Sequence, residues 1–209
     1  MSRTLLPGIA AMAAIVVASN ILVQFLLLDG LLTWGAFTYP FAFLVTDLMN
    51  RLYGAAQARK VVFAGFAIGI VCSVIGSQIV LEYGPAVPLR VAIASATAFL
   101  VAQLLDVAIF SRLREGVWWR APLVSTLIGS TVDTALFFFI AFSAALTFGA
   151  AADANIAWAQ DAAPLLLTGP EAPLWVTLAI ADWGVKLSIA LIALIPFRLI
   201  VSRLRQGAA

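Results

Sequence analysis

The chain has 209 residues, of which 64% are hydrophobic and only 11% charged, with a mean hydropathy of +1.08. That charged share is less than half of the roughly 25% usual in soluble domains, and the net charge of +2 is not gathered into a patch suited to nucleic acid. One cysteine, Cys72, and no histidine exclude a disulfide framework, thiolate or imidazole metal centres and histidine-based catalysis.

Nearly uncharged runs of eighteen or more residues read as transmembrane helices, which predicts an all-α polytopic membrane protein. Six spans follow, at roughly 5–28, 31–53, 61–81, 91–111, 123–148 and 174–198, with no linker to divide residues 1–209 into more than one domain. The first span is too long for a signal peptide and runs on through Asn20 and Gln24, so it is read as a span. The second contains Pro40, which frees backbone groups that need partners in protein or in a wet cavity, and then Asp47 and Asn50. Broken helices of this kind line transporter sites. On the third span Gly65, Gly69, Ser73 and Ser77 recur every four residues, as Ala10, Ala14 and Ala18 do on the first. Such stripes serve close helix packing, within the bundle or between the protomers of a homodimer.

The fourth span carries Phe99, Gln103, Asp106 and Phe110 on one helical face, and the fifth carries Thr126, Ser130, Asp133 and Phe137 at the same spacings. Facing each other, these stripes would set carboxylates and amide or hydroxyl groups between aromatic planes. A flat heteroaromatic ligand with adjacent N–H donors, such as the edge of guanine, fits that chemistry, and so does a general polar or proton pathway. The connection GAAADANIAWAQDAAPLLLTGPEAP follows, with Trp158 and Leu165–Leu167 suited to lying along the membrane surface. The sixth span holds Asp182, Trp183 and Lys186.

The basic residues predict orientation. Arg3, Arg51, Arg59, Lys60, Arg112, Arg114, Arg120, Arg198, Arg203 and Arg205 fall on one side, against Arg90 on the other, so both termini are expected in the cytoplasm. At about 1.5 Å per residue, Asp47 and Asp106 lie level, roughly 9 Å inside the cytoplasmic boundary, while Asp133 and Lys186 lie near the midplane. Each charge at a helix centre costs about 2.5–3.5 kcal/mol on insertion scales. Local pairing, Asp182 with Lys186 and Asp47 with Arg51, is the structural reading; Asp106 and Asp133 have no basic residue at i±3 or i±4, and Lys186 can satisfy only one of them. No phosphate loop, HExxH, GxSxG or Ser–Lys pattern is present. No enzyme activity, catalytic residue, metal or cofactor is therefore expected; the bilayer is the expected environment.

The blocks FTYPFAFLVTDLMNRLYGAAQARKVVFAGF, ATAFLVAQLLDVAIFSRLR and STLIGSTVDTALFFFIAF, with the Lys186 region, resemble the queuosine precursor transporter family over residues 37 to 200. The resemblance implies a six-span bacterial inner-membrane protein related to vitamin-uptake transporters. It implies import of 7-cyano-7-deazaguanine, with its aminomethyl relative, for making the tRNA nucleoside queuosine. Asp47 and Asn50 fall in the family's YP…TD..N block, Gln103 and Asp106 in AQ..D, and Ser125, Thr126 and Asp133 in ST…D. Two positions depart from many relatives: Arg51 stands where they have Glu, and Ser130 where they have Gln, which bears on the choice between the two ligands. On this reading Asp106 and Asp133 bind the heterocycle's N–H edge, and Gln103, Ser130 and Asn50 add hydrogen bonds. Phe41, Phe99, Phe137 or Trp183 stacks on it, Lys186 meets its exocyclic oxygen or compensates a carboxylate, and Asp47 lines the inner wall. The competing reading is the substrate-binding subunit of an ATP-driven, multi-subunit vitamin importer, docking through Ala10, Ala14 and Ala18. A membrane enzyme or scaffold is the third.

Overall fold

In hydrocarbon every backbone N–H and C=O must be satisfied within the chain, so apolar runs of this length fold as helices. The computed structural model describes residues 5–82 and 84–206. Arg3 and the side chain of Arg205, which count toward the charge asymmetry, lie outside the described residues. The helices are α1 (Leu6–Leu22), α2 (Trp34–Thr38), α3 (Phe41–Tyr53), α4 (Ala55–Gln78), α5 (Leu89–Leu113), α6 (Arg120–Phe142), α7 (Ala150–Ala154) and α8 (Leu174–Gln206). Among the described residues α4, α5, α6 and α8 are long and apolar enough to cross a membrane, and α1 is a shorter apolar helix of 17 residues. The protein is an all-α membrane protein.

Two expected boundaries move for the same reason. The first span ends at Leu22 because Leu26–Leu27 pairs with Leu32–Thr33 in a short antiparallel hairpin, β1–β2. The fifth ends at Phe142, where Ser143 turns to extended backbone (φ −68°, ψ 130°). Hydropathy alone does not separate an apolar hairpin or loop from the end of an apolar helix. Two further hairpins, β3–β4 (Val80–Leu81 with Gly84–Pro85) and β5–β6 (Ala162–Pro164 with Glu171–Pro173), close the α4–α5 and α7–α8 connections.

The second span is two helices. Pro40 has no N–H to continue the ladder, so α2 stops at Thr38 and α3 begins at Phe41. The backbone at the junction keeps helical angles (Tyr39 φ −56°, ψ −41°; Pro40 φ −59°, ψ −22°), so the interruption lies in the hydrogen bonds rather than in the path of the chain.

Packing directions follow from close contacts at glycines. Gly8 on α1 abuts Met49 on α3, which makes those helices antiparallel, whereas Gly65 and Gly69 on α4 abut Met12 and Val16, which makes α1 and α4 parallel. The Gly65–Gly69 stripe thus packs inside the bundle. The exposed faces of α4 and α8, with Val71, Val74, Ile75, Leu191, Ile192 and Ile195, are apolar, as a lipid-facing surface requires.

The long connection folds back onto the bundle end instead of lying loose. Ile156 and Ala159 pack against Phe138, Ala141 and Phe142. Arg90, at the start of α5, is fully buried beneath it. Its guanidinium donates to the carbonyls of Ile140 (2.8 Å) and Ser143 (2.5 Å) and to Asp153 (2.9 Å), and it lies 5.1 Å from the centre of the Phe148 ring.

Candidate functional site

Polar side chains of α3, α5, α6 and α8 meet in the core of the bundle in two layers. The first is built on the α6–α8 contact. Lys186 lies 2.7 Å from Asp133, 2.7 Å from Asp182 and 2.9 Å from the Thr134 hydroxyl, so all three ammonium protons are used. The Thr134 hydroxyl donates to Asp182 (3.0 Å), and the Tyr39 hydroxyl donates to the other oxygen of Asp133 (2.9 Å). Asp133 and Lys186 are buried, and Asp182 is partly open. The Asp182–Lys186 pair is the i,i+4 contact that its spacing predicts, and Asp133 is the second acid that the lysine satisfies.

The second layer is built on α3, α5 and α6. Asp47 accepts from the hydroxyls of Ser125 (3.3 Å) and Thr126 (3.2 Å). Asp106 is fully buried beside Asp47 and Ser125, yet neither of its oxygens has a hydrogen bond of good geometry. One end of the Gln103 amide meets the Thr46 hydroxyl at 2.6 Å, and the other end has no partner. Gly129 on α6 lets this layer close, because a Cβ there would sit 2.9 Å from the Phe43 ring and 3.4 Å from the Asp106 Cβ. A cleft of about 10 Å³, room for about one water, opens between Asp47 and Thr126 on one side and α8 on the other. The bundle is closed around its polar groups.

The remaining sequence-predicted residues divide between core and surface. Asn50 donates to the Val107 carbonyl and the Ser111 hydroxyl, both at 3.0 Å, and so ties α3 to α5. The Ser130 hydroxyl turns back to the Leu127 carbonyl of its own helix (3.2 Å). Phe99 packs edge-on to Tyr39, ring centres 6.2 Å apart, beside the two layers. Phe137 joins Phe138 and Phe142 nearer the hairpin end. Phe41 and Trp183 are exposed, with the Trp183 indole donating to Thr131. Asp106 groups with Asp47, and Asp133 groups with Lys186, so the two stripe acids fall in different layers.

Tyr39, Thr46 and Thr134 belong to the site but are not among the sequence-predicted residues. Tyr39 had a signal: it directly precedes Pro40, where the hydrogen-bond ladder breaks. Its ring packs on Phe43 and Phe99 and lies 5.4 Å from the Lys186 ammonium. Thr46 also had one, as the threonine of the YP…TD..N block, whereas Thr134 had none beyond adjacency to Asp133.

Buried acids, Asp106 without a well-placed partner among them, inside apolar helices around a proline-broken segment define a class: a multi-pass membrane protein with a polar cluster in its core. The family described as "Putative vitamin uptake transporter" matches residues 33–201, and the chain belongs to that family, together with the queuosine precursor transporters. It is 34% identical over 195 residues to the queuosine precursor transporter of Escherichia coli K12, which covers 87% of this chain and 79% of that protein. It is 37% identical over 175 residues to the probable queuosine precursor transporter of Haemophilus influenzae, covering 78% and 66%, and 32% identical over 130 residues to that of Bacillus subtilis, covering 53% and 56%. No solved structure matches. The family is one of transporters, and the chain is a multi-pass protein of the bacterial inner membrane.

Proposed function

We propose that this chain is a secondary carrier or facilitator that imports 7-cyano-7-deazaguanine, and its aminomethyl relative, for tRNA queuosine synthesis, without changing any bond in its cargo. The names of its relatives support the substrate class. The observation that carries the site is the aromatic pair Tyr39 and Phe99, set between the Asp133–Lys186 pair and the half-bonded amide of Gln103. When the helices part, the two rings take the flat faces of the heterocycle. Asp133 receives its N–H edge, Lys186 meets its exocyclic oxygen, and Gln103 adds a hydrogen bond. Asp47 and Asp106 lie in the second layer, beyond the cavity toward the basic end, and do not touch the cargo.

The proposed topology has six crossings, α1, α2 with α3, α4, α5, α6 and α8, in one unit spanning residues 1–209. The ends bearing Arg51, Arg114 and Arg198 face the cytoplasm. The structure holds these three together at one end of the bundle: Arg51 donates to the Arg114 carbonyl, and Arg198 lies over Trp118 between α5 and α6.

The test is rescue of queuosine in the tRNA of bacteria unable to make it, fed each precursor at low concentration. Wild type restores the nucleoside. Asp133→Asn and Gln103→Ala insert in the membrane but lower uptake roughly tenfold or more, the effect of losing a hydrogen bond to a charged group or an amide contact of about 1.5 kcal/mol. No rescue by a chain confirmed in the membrane sinks the substrate assignment.

A further inference from the structure

The two acid layers are compensated differently. Lys186 stands 2.7 Å from both Asp133 and Asp182. Among the described residues, no basic side chain stands within ion-pair distance of Asp47 or Asp106. The groups packed around this second layer are few. From α3, Arg51 reaches the Arg114 carbonyl at the bundle end. From α5 comes the neutral Gln103, with Arg112 exposed two turns away. From α6 come the Ser125 and Thr126 hydroxyls, with Arg120 exposed at the helix start. The buried side chains of α4, Ala58, Val61 and Val62, cluster with Met49 of α3 and Val107 of α5, and its Arg59 and Lys60 are exposed. From α8 come Ala190 and Leu194, while Lys186 and the Tyr39 hydroxyl are committed to the first layer.

Hydrogen bonding then divides the pair. Asp47 receives two hydroxyl donors, whereas Asp106, beside it and next to Ser125, receives none of good geometry. Two carboxylates sharing a buried site without a cation do not both ionise, so the pair holds a proton between them. A bound metal cation fits less well, because Ser125 and Thr126 would turn their lone pairs toward it rather than donate to Asp47. The cleft beside Asp47 and Thr126 has room for about one water next to the Asp47 carboxylate and is too small for the heterocycle.

We propose that Asp106 and Asp47 share one exchangeable proton, reached by water through this cleft, and that its passage drives uptake of the heterocycle. This rests on the substrate reading above. Water on one side gives up a proton to the carboxylate pair, which falls from two negative charges to one held by the Ser125 and Thr126 hydroxyls, the layer closes as the structure shows it, and the same proton returns to water on the other side. Only O–H bonds form and break. Closure with both acids ionised would bury an uncompensated pair, so the carrier reorients with the proton bound.

The test uses the purified full chain in liposomes, with labelled precursor inside and out and a pH dye inside. Exchange at equal pH reports the substrate reading by itself, and its absence sinks that reading. Given exchange, an inward tenfold proton gradient is expected to accumulate precursor up to about tenfold at one proton per molecule, with interior acidification. An inward Na⁺ gradient at equal pH is expected to do nothing. Accumulation driven by Na⁺, or equilibration only, overturns the proposal. Asp106→Asn is expected to bring the accumulation ratio to about one, and Asp106→Glu to restore part of it. An Asp106→Asn chain that still accumulates, or that loses exchange together with accumulation, also overturns it. Independently of substrate, the infrared spectrum at neutral pH is expected to show a protonated-carboxyl band in wild type that Asp106→Asn lacks. A wild type without that band overturns the assignment whatever becomes of the transport reading.

Discussion

Lys186 is the residue on which the first acid layer depends. Its ammonium holds Asp133 and Asp182 at 2.7 Å each and uses its third proton on Thr134. Lys186→Met is expected to cost about 3–5 kcal/mol, because it leaves two acids facing each other without a cation. Thermal unfolding in detergent reads the loss, and adding Asp133→Asn to Lys186→Met should recover part of it, whereas a purely steric role predicts no recovery. Tyr39→Phe is a finer probe. It keeps the ring against Phe99 and removes one donor to Asp133, so it should cost about 1 kcal/mol and raise the half-saturating precursor concentration several-fold. Tyr39→Leu, which removes the aromatic face as well, should weaken uptake further, and equal effects of the two variants would exclude stacking by this ring.

At the scale of elements, two contacts set the geometry. Gly129 lets α3, α5 and α6 approach, since an added Cβ would meet the Phe43 ring at 2.9 Å. Gly129→Ala is expected to destabilise by about 1–3 kcal/mol through overpacking, with melting in detergent as the measure. Arg90 joins the start of α5 to the end of α6 and to the long connection, and Arg90→Gln should expose residues 149–173 to limited proteolysis while α5 and α6 resist it. The sequence made the helices and the polar stripes legible, because apolar length and 3.6-residue periodicity are local properties, and it put Asp47 level with Asp106 and Asp133 level with Lys186, as the structure groups them. It also made the Asp182–Lys186 pair legible, as an i,i+4 neighbour on one helix. Which acid of another helix Lys186 would choose was not legible. Asp133 and Asp106 carry the same flanking pattern, and only the offset between α5, α6 and α8 separates them. Arg90 reads as a lone outer-side charge for a similar reason: its partners Ile140, Ser143 and Asp153 are 50 or more residues away. Asn50, expected at the ligand, instead ties α3 to α5 because Ser111 and the Val107 carbonyl come within 3.0 Å of it.

Over the whole molecule the two ends differ in construction. One end carries all three hairpins, the long connection and the buried Arg90. The other is closed by the single residue Gly54 between α3 and α4 and by the short turn before α6, with Arg114 within 3.9 Å of the Gly54 Cβ position. Tight, basic turns on one side and longer, folded connections on the other, which carry Asp29, Glu82, Asp153, Asp161 and Glu171 but no lysine or arginine before Arg90 at the start of α5, are what the positive-inside bias produces, since lysine and arginine in short loops resist translocation. Both hairpin connections β1–β2 and β5–β6 should therefore lie outside the cytoplasm, and the turn at Glu115 inside. Cys72 is the one native cysteine, so Cys72→Ser gives a clean background for single-cysteine labelling. Asp29→Cys, Thr168→Cys and Glu115→Cys place a thiol at exposed positions in each connection. A membrane-impermeant maleimide should label the first two in intact spheroplasts, and the third only after permeabilisation. The opposite pattern inverts the protein in the membrane. Labelling of Asp29→Cys and Thr168→Cys from opposite sides would mean an odd number of crossings between them, and would remove either the broken α2–α3 segment or one of α4, α5 and α6 from the membrane.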